Sequence, residues 1–439
     1  GMDIRKQIKD IDVDISARCR QLEELRTECS ASEKGVSVLS ANLSISRDYL
    51  KTKRNNNILI FDDREDFYKI ELENLKDDKS NYIIVDFDGE YYDKTSKQFE
   101  AHGFGVKSIN LIQVEQSDGY NPFAYIQNEV DVDVIVQCIM GNTRSTYVSG
   151  ISEGDRYVVK SLEQTFLKIL ISCYMKYGTS KTLTAAANLL RSDKCEQTLD
   201  KLFSGQYPQG PSEVECKRFR IFKQDAGERY FDILQSCSER IAFFKDERLI
   251  ALTKKESISF QHLYQAKQVL YIIIPSSLRE VELFTSLLLS QITYTLCNES
   301  RKHNNDRMVM LYLNYFADAG AISNFERLLP DIQQYNIGCM IHVNNMVRVK
   351  EVYPKWNELF ASCDTVLYLG SRDSNIREYF HSIADDNVIR RRKMLGKDVY
   401  KTSVFKREEL DSLDEKECVC VVKGEGTFLL PKIDAYDNL

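Results

Sequence analysis

Proline and glycine are scarce in this chain, 7 and 19 among 439 residues. A sequence so poor in both has little room for long disordered linkers. Long apolar runs are missing too. None approaches the roughly 20 residues that a membrane-crossing helix needs. The most apolar stretches, around residues 269–275 and 283–289, have the lengths of a core strand and a core helix. No secretory leader is readable, and Gly1 before Met2 reads as an expression remnant ahead of a natural start. An excess of cations is also lacking. The net charge is -7, which weighs against a broad grip on nucleic acid, because that affinity rests on Lys and Arg neutralising phosphates. The 12 cysteines include no C-x-x-C pair, and the 5 histidines, among them His262 and His342, cluster with nothing. No metal site is expected, and the thiols read as buried and reduced, as in a cytoplasmic protein. Cys418 and Cys420, one residue apart, would point to the same side of a strand. No Ser/His/Asp or Cys/His nucleophile set is readable.

What is present is periodicity. Residues 2–33 read as one helix in which Ile4, Ile8, Ile11, Ile15, Leu22, Leu25 and Cys29 alternate steps of four and three, interrupted at Arg18. This heptad pattern suits either a coiled coil joining subunits or a helix folded back on its own domain. Short apolar runs follow at 57–61 (NILIF), 81–86 (NYIIVD) and 105–112 (GVKSINLI), with a helical pattern over 94–102. The runs resume at 269–274 (VLYIII), 308–313 (MVMLYL), 338–343 (GCMIHV) and 365–369 (TVLYL). Short apolar strands separated by helices indicate a parallel sheet with crossover helices. Residues 155–176, 180–202 and 212–244 lack β character. The chain therefore divides into a helix at 2–40, a first sheet segment at 41–154, an all-helical insertion at 155–240 and a second sheet segment at 241–439. It closes on a hairpin, 418–422 and 427–430, turning at 423–426. The one dense basic run, 390–393 (RRRK), reads as a solvated loop or helix end, with phosphate or partner contact as the alternative.

Several segments, in consistent order, resemble one family. Residues 52–60 (TKRNNNILI) are similar to the lead-in to the phosphate loop of TraG/TraD-type coupling ATPases of conjugation and type IV secretion. Residues 86–90 (DFDGE), with Asp86, Gly89 and Glu90, stand where that family carries Asp-Pro-Lys-Gly-Glu. Residues 94–103 resemble the helix that follows. Residues 117–126 hold the distinctive Tyr120-Asn121-Pro122-Phe123, and 316–328 and 353–370 resemble the segments after the Walker B strand and after the sensor strand. The resemblance runs from about residue 40 to the C-terminus and points toward conjugal-transfer members of Gram-positive mobile elements. It implies a RecA-like P-loop NTPase fold, a mainly parallel sheet with flanking helices, carrying an all-helical insertion implicated in cargo recognition. Family cores form hexamers that couple ATP hydrolysis to transport. The pair of transmembrane helices that normally precedes the core is not among these residues, which fits either a soluble protein or a chain shortened at its N-terminus.

The nucleotide motifs depart from the family. A phosphate loop needs glycines to wrap backbone N–H groups around the phosphates, a Lys, and a Ser/Thr hydroxyl for Mg²⁺. The corresponding stretch here reads Asp62-Asp63-Arg64-Glu65-Asp66-Phe67-Tyr68-Lys69, followed by Ile70. It has no glycine, and its four carboxylates stand where a triphosphate would sit. Like charges about 4 Å apart repel by about 4 kcal/mol at an effective dielectric near 20. Where the Walker B Asp-Glu is expected, the chain has Asn314 and Tyr315, a weak Mg²⁺ ligand and a poor base at neutral pH. The sensor Gln is replaced by Asn344. The expectation is a coupling-protein homologue without ATPase activity and without a cofactor, acting as a binding or scaffold component. Its partner would be a coupling-protein paralogue, a relaxase or another secretion cargo, met through the insertion, and the heptad helix could build an oligomer. An active motor with a divergent site and a DNA-binding accessory factor are the alternatives.

Overall fold

A computed structural model describes residues 4–7, 32–277, 280–302 and 307–434. Residues 4–7 are helical; the rest of the heptad pattern lies outside the described residues. The strands are β1 (Val36–Val38), β2 (Ser44–Ser46), β3 (Ile58–Asp62), β4 (Asn81–Phe87), β5 (Gly105–Asn110), β6 (Gln268–Ile274), β7 (Val309–Leu313), β8 (Ile337–Val343), β9 (Thr365–Gly370), β10 (Asn387–Met394), β11 (Lys397–Val404), β12 (Glu417–Val422) and β13 (Gly426–Pro431). β1 and β2 form a small hairpin. The others make one 11-stranded sheet, ordered β11-β10-β13-β12-β9-β3-β8-β7-β4-β6-β5. From β9 to β5 every neighbouring pair is parallel.

The strands read as continuous apolar runs because both faces of the sheet are covered. Alternate residues supply two separate cores. Leu59, Phe61, Ile83, Val85, Leu311 and Leu313 join the cluster under the helical block. Ile58, Ile60, Tyr82, Ile84, Met310 and Tyr312 join the opposite cluster, under the helices Asp66–Asn74 and Glu90–Ala101 and the β1–β2 hairpin. All ten cysteines among the described residues are free and buried. Cys418 and Cys420 do share one face of β12, both in the second cluster.

Between β5 and β6 the chain forms no strand. Helices run from Glu129–Asn142 to His262–Gln265, so the expected boundaries at 155 and 240 fall inside one helical stretch. The long helix Glu153–Tyr177 buries Val159, Glu163, Phe166, Leu167 and Leu170 along one stripe, at the three- and four-residue spacing of a helix face. Glu163 is fully buried there. Its carboxylate accepts from the Arg240 guanidinium and from the Ser236 hydroxyl at 2.6 Å, while Arg240 also donates to the Thr143 carbonyl at 2.8 Å.

One expectation fails. Residues 390–393 are neither loop nor helix end but the middle of β10, paired antiparallel to β11. The hairpin turns through Leu395 (φ 52°) and Gly396 (φ 74°). Two positive-φ residues make the tight turn whose twist matches a hairpin, and it normally announces itself as Asn-Gly or Asp-Gly. A leucine in that place hides it.

The Glu163–Arg240 pair generates a test. Glu163→Ala strands a buried cation and should cost about 3–5 kcal/mol of unfolding free energy in urea titrations. The double variant Glu163→Met/Arg240→Leu should recover most of it, since apolar replacement of a whole buried pair is often neutral.

Candidate functional site

In an open parallel sheet, ligands bind beyond the carboxyl ends of the strands. Here the ends of β3, β4, β7 and β8 surround a cleft of about 1000 Å³. β3 ends at Asp62, and the chain enters the helix Asp66–Asn74 after three residues. Asp62 is fully buried. Its two carboxylate oxygens accept from the backbone N–H of Arg64 at 3.0 Å and of Phe67 at 2.8 Å. These are the loop and helix N-terminal donors that an anion would otherwise use. The Tyr68 N–H turns to the Glu65 carbonyl at 3.3 Å.

The other loop side chains diverge. Asp63 accepts from the Arg372 N–H at 2.6 Å, Arg64 pairs with Glu415 at 2.9 Å, and Asp66 pairs with Lys432 at 2.8 Å. Lys69 lies 3.9 Å from Asp66 and does not line the cleft. Of the four acidic residues in the loop, only Glu65 does, because the other three are drawn into partners of their own. Phe67 and Tyr68 complete the loop's contribution to the wall.

Asn314 and Tyr315, at the end of β7, and Asn344, after β8, all line this cleft. The Asn314 amide donates to the Val85 carbonyl at 2.9 Å, whereas its Oδ1 is buried without a partner. Tyr315 adopts φ 48°, and burial, followed by the nearby Glu65 and Asp62 carboxylates, raises its phenol pKa. Its ring meets Phe67 edge-on at 5.6 Å and Phe87 at 5.5 Å.

Two further residues that sequence reasoning assigned no role lie buried behind this lining. His342, inside β8, is fully buried and stacks on Phe67 at 3.6 Å. Its Nε2 lies 2.8 Å from the Asp62 carbonyl, and the Tyr315 N–H points to its Nδ1 at 3.2 Å. A carbonyl can only accept, so the proton sits on Nε2. Burial pushes this imidazole down to about 4. Glu71 is fully buried and meets the Tyr91 hydroxyl and the Asn314 amide. Burial pushes its carboxyl up to about 8. The signals were present: one polar residue inside an apolar strand, and Glu71 one helical turn beyond Phe67, on the buried face.

The remaining signature residues hold the frame. Both carboxylate oxygens of Asp86 accept backbone N–H groups, from Tyr91 at 3.1 Å and Tyr92 at 2.9 Å, opening the helix Glu90–Ala101. Burial raises its carboxyl to about 7. Gly89 supplies the positive φ of 83° that the turn requires, and Glu90 reaches the cleft. Tyr120 donates to Gln291 at 2.6 Å, the Pro122 carbonyl accepts from Gln291 at 3.0 Å, Asn121 caps the following turn, and Phe123 is buried. These four lock the connection to the helical block and do not line the cleft. Among the described residues, no three His, Cys, Asp or Glu side chains are grouped to hold a metal ion, and no helix is long and apolar enough to cross a membrane.

A family model for conjugative DNA transfer by the type IV secretory system matches residues 73–381, well over half of the chain. The chain belongs to this family. The unbound coupling protein TrwB lacking its N-terminal segment is similar in fold, at TM-score 0.64 and 14% identity, over 94% of this chain and 91% of that one. TrwB holding the ATP analogue ADPNP matches at TM-score 0.64 and 12% identity, over 94% and 92%. VirB4 of Thermoanaerobacter pseudethanolicus matches at TM-score 0.53 and 14% identity, over 92% and 97%. No curated protein matches in sequence. The fold is the RecA-like P-loop NTPase fold that the motif order implied.

The buried acids of this member of the family set a pH dependence. An acid whose pKa is raised by folding stabilises most below its unfolded value, and that contribution is lost as pH rises through the folded value. For Glu71 the window runs from 4.5 to about 8, and for Asp86 from 3.8 to about 7. Asp62, raised by burial to about 6, acts the same way between 3.8 and 6. His342, lowered from 6.5 to about 4, has the opposite sign over much of that range. Above pH 6.5 the acids stand alone, so the melting temperature should fall from pH 6.5 to 8. Glu71→Gln should flatten that slope in thermal scans, and an unchanged slope would refute the assignment.

Proposed function

We propose that this member of the conjugative-transfer family has retired its nucleotide chemistry and serves as a binding or scaffold component. The observation that carries the reading is the Asp62 carboxylate, which takes the Arg64 and Phe67 N–H groups for itself. An internal anion at that position competes with any phosphate for the same donors. Three further features support it. The loop has no glycine to bring backbone close to a ligand. Lys69 is turned to Asp66 outside the cleft. Asn314 and Tyr315 stand at the end of the strand corresponding to Walker B, so neither a charged metal ligand nor a carboxylate base faces the cleft from there. A magnesium–triphosphate does not fit this set of residues.

The relatives differ in this respect. TrwB has been seen with ADPNP and with ADP and Mg²⁺. In this chain the retained fold would present surfaces instead of turning over nucleotide. The helical stretch, including residues 155–240, is the surface proposed for a coupling-protein paralogue or a relaxase-type cargo. Assembly through the N-terminal heptad pattern is proposed alongside it. The net charge of -7 favours protein partners over extended DNA contact.

Calorimetric titration of MgATP, with ADP as a second ligand, tests the reading. The expected outcome is no heat up to millimolar nucleotide. A micromolar dissociation constant, or Mg²⁺-dependent turnover above that of an Asn314→Ala/Tyr315→Phe variant, would overturn it in favour of a motor with a divergent site.

A further inference from the structure

The cleft has not closed after losing its phosphate-binding features; it remains about 1000 Å³ in volume. Its lining has a definite chemical bias. Glu65, Asp88, Glu90, Glu282 and Asp318 face it, against Arg144 and Arg348. Arg348 is already held by Glu282 and Glu351. Carboxyl groups are thus left in excess where a triphosphate would need cations.

A second, independent observation concerns unsatisfied atoms. Asn314 is 1% exposed, lines the cleft, and its Oδ1 has no hydrogen-bond partner. That atom can only accept, so what it lacks is a donor. The Tyr68 hydroxyl on the same wall is also buried and unpartnered. A buried polar atom left unpaired costs free energy that an incoming N–H would restore.

The walls are aromatic: Tyr68, Phe87, Tyr91 and Tyr315. One ring there already receives a cation, with the Lys94 ammonium 4.9 Å from the centre of Tyr68. Acids, aromatic faces and a waiting acceptor together describe a receptor for a planar organic cation. A guanidinium has five N–H donors in a rigid fork, stacks on aromatic faces and sheds water more readily than an ammonium. Anions meet the reverse situation, since Asp62 has taken the loop donors.

We infer that this cleft is a docking site for an arginine side chain of a basic segment in a protein partner. Charge complementarity selects the occupant: the rim carboxylates Glu65 and Glu90 steer it, and Asn314 Oδ1 receives a donor at the floor. The inference rests on the reading that the cleft no longer holds a triphosphate.

The test uses the full chain and a short fluorescein-labelled peptide of glycine, serine and arginine, followed by fluorescence anisotropy. Lysine and glutamate versions, spermidine and MgATP are parallel ligands. The arginine peptide should bind more tightly than the lysine version, and the glutamate version should not bind. The Glu65→Gln/Glu90→Gln variant should weaken binding by about tenfold. The equally charged control Glu358→Gln/Glu378→Gln, at exposed positions away from both the cleft and the helical stretch, should leave it unchanged. Equal binding to the cleft variant and the control would overturn the inference by placing the contact elsewhere. Tighter binding of spermidine than of the peptide would overturn the assignment of a protein segment. If neither peptide nor MgATP binds, the inference fails and the retired-nucleotide reading stands. If MgATP binds and displaces the peptide, both fail.

Discussion

A carboxylate at the end of a parallel strand must find donors or lose its charge, and Asp62 finds them in the chain that immediately follows. By accepting from the Arg64 and Phe67 N–H groups, it sets the path of the loop and starts the helix Asp66–Asn74. That path seats Phe67 against His342. His342 in turn holds the Asp62 carbonyl through one nitrogen and the Tyr315 N–H through the other. The strand end, the helix start and the residue after β7 are therefore tied into one arrangement. The same bonds that build the loop consume the donors a phosphate would need.

The sheet makes this arrangement affordable. Strands covered on both faces leave their carboxyl ends as the place where polar groups gather. Asp62, Asp86 and Glu71 are all buried there. Two of them accept pairs of backbone N–H groups, which lower their pKa, but burial outweighs that effect in each case. Glu71, with a tyrosine hydroxyl and an amide instead, is shifted furthest. Acids held near neutrality in this way lie beneath a cleft whose rim acids are exposed.

Much of this was legible before any coordinates. The apolar runs that became β3, β4 and β6 to β9 are readable because a strand buried on both faces needs an unbroken apolar sequence. Asn314, Tyr315 and Asn344, singled out by their place after apolar runs, line one cleft. The acidic loop was legible as composition but not as geometry. Four carboxyl groups within five residues look like a negative patch, yet Asp62 turns inward, Asp63 turns to Arg372 and Asp66 turns to Lys432. Arg372 and Lys432 lie some three hundred residues away, where local reasoning has no reach. The β10–β11 hairpin was missed for a related reason: its polar strand acquires meaning only from its partner, and its turn lacks the usual residues.

By itself, then, the sequence determined the fold class, the alternation of strand and helix, and the absence of glycine from residues 62–69. These follow from local periodicity and from residue chemistry, which each segment carries on its own. Tertiary structure alone decided which carboxylate of the loop faces the cleft, which one caps the loop, that Glu71 and His342 are buried against Tyr91 and Phe67, and that Asn314 keeps an acceptor unpaired. Hydrogen-bond pairing and burial are properties of segments brought together, and a carboxylate's role depends on which donors reach it.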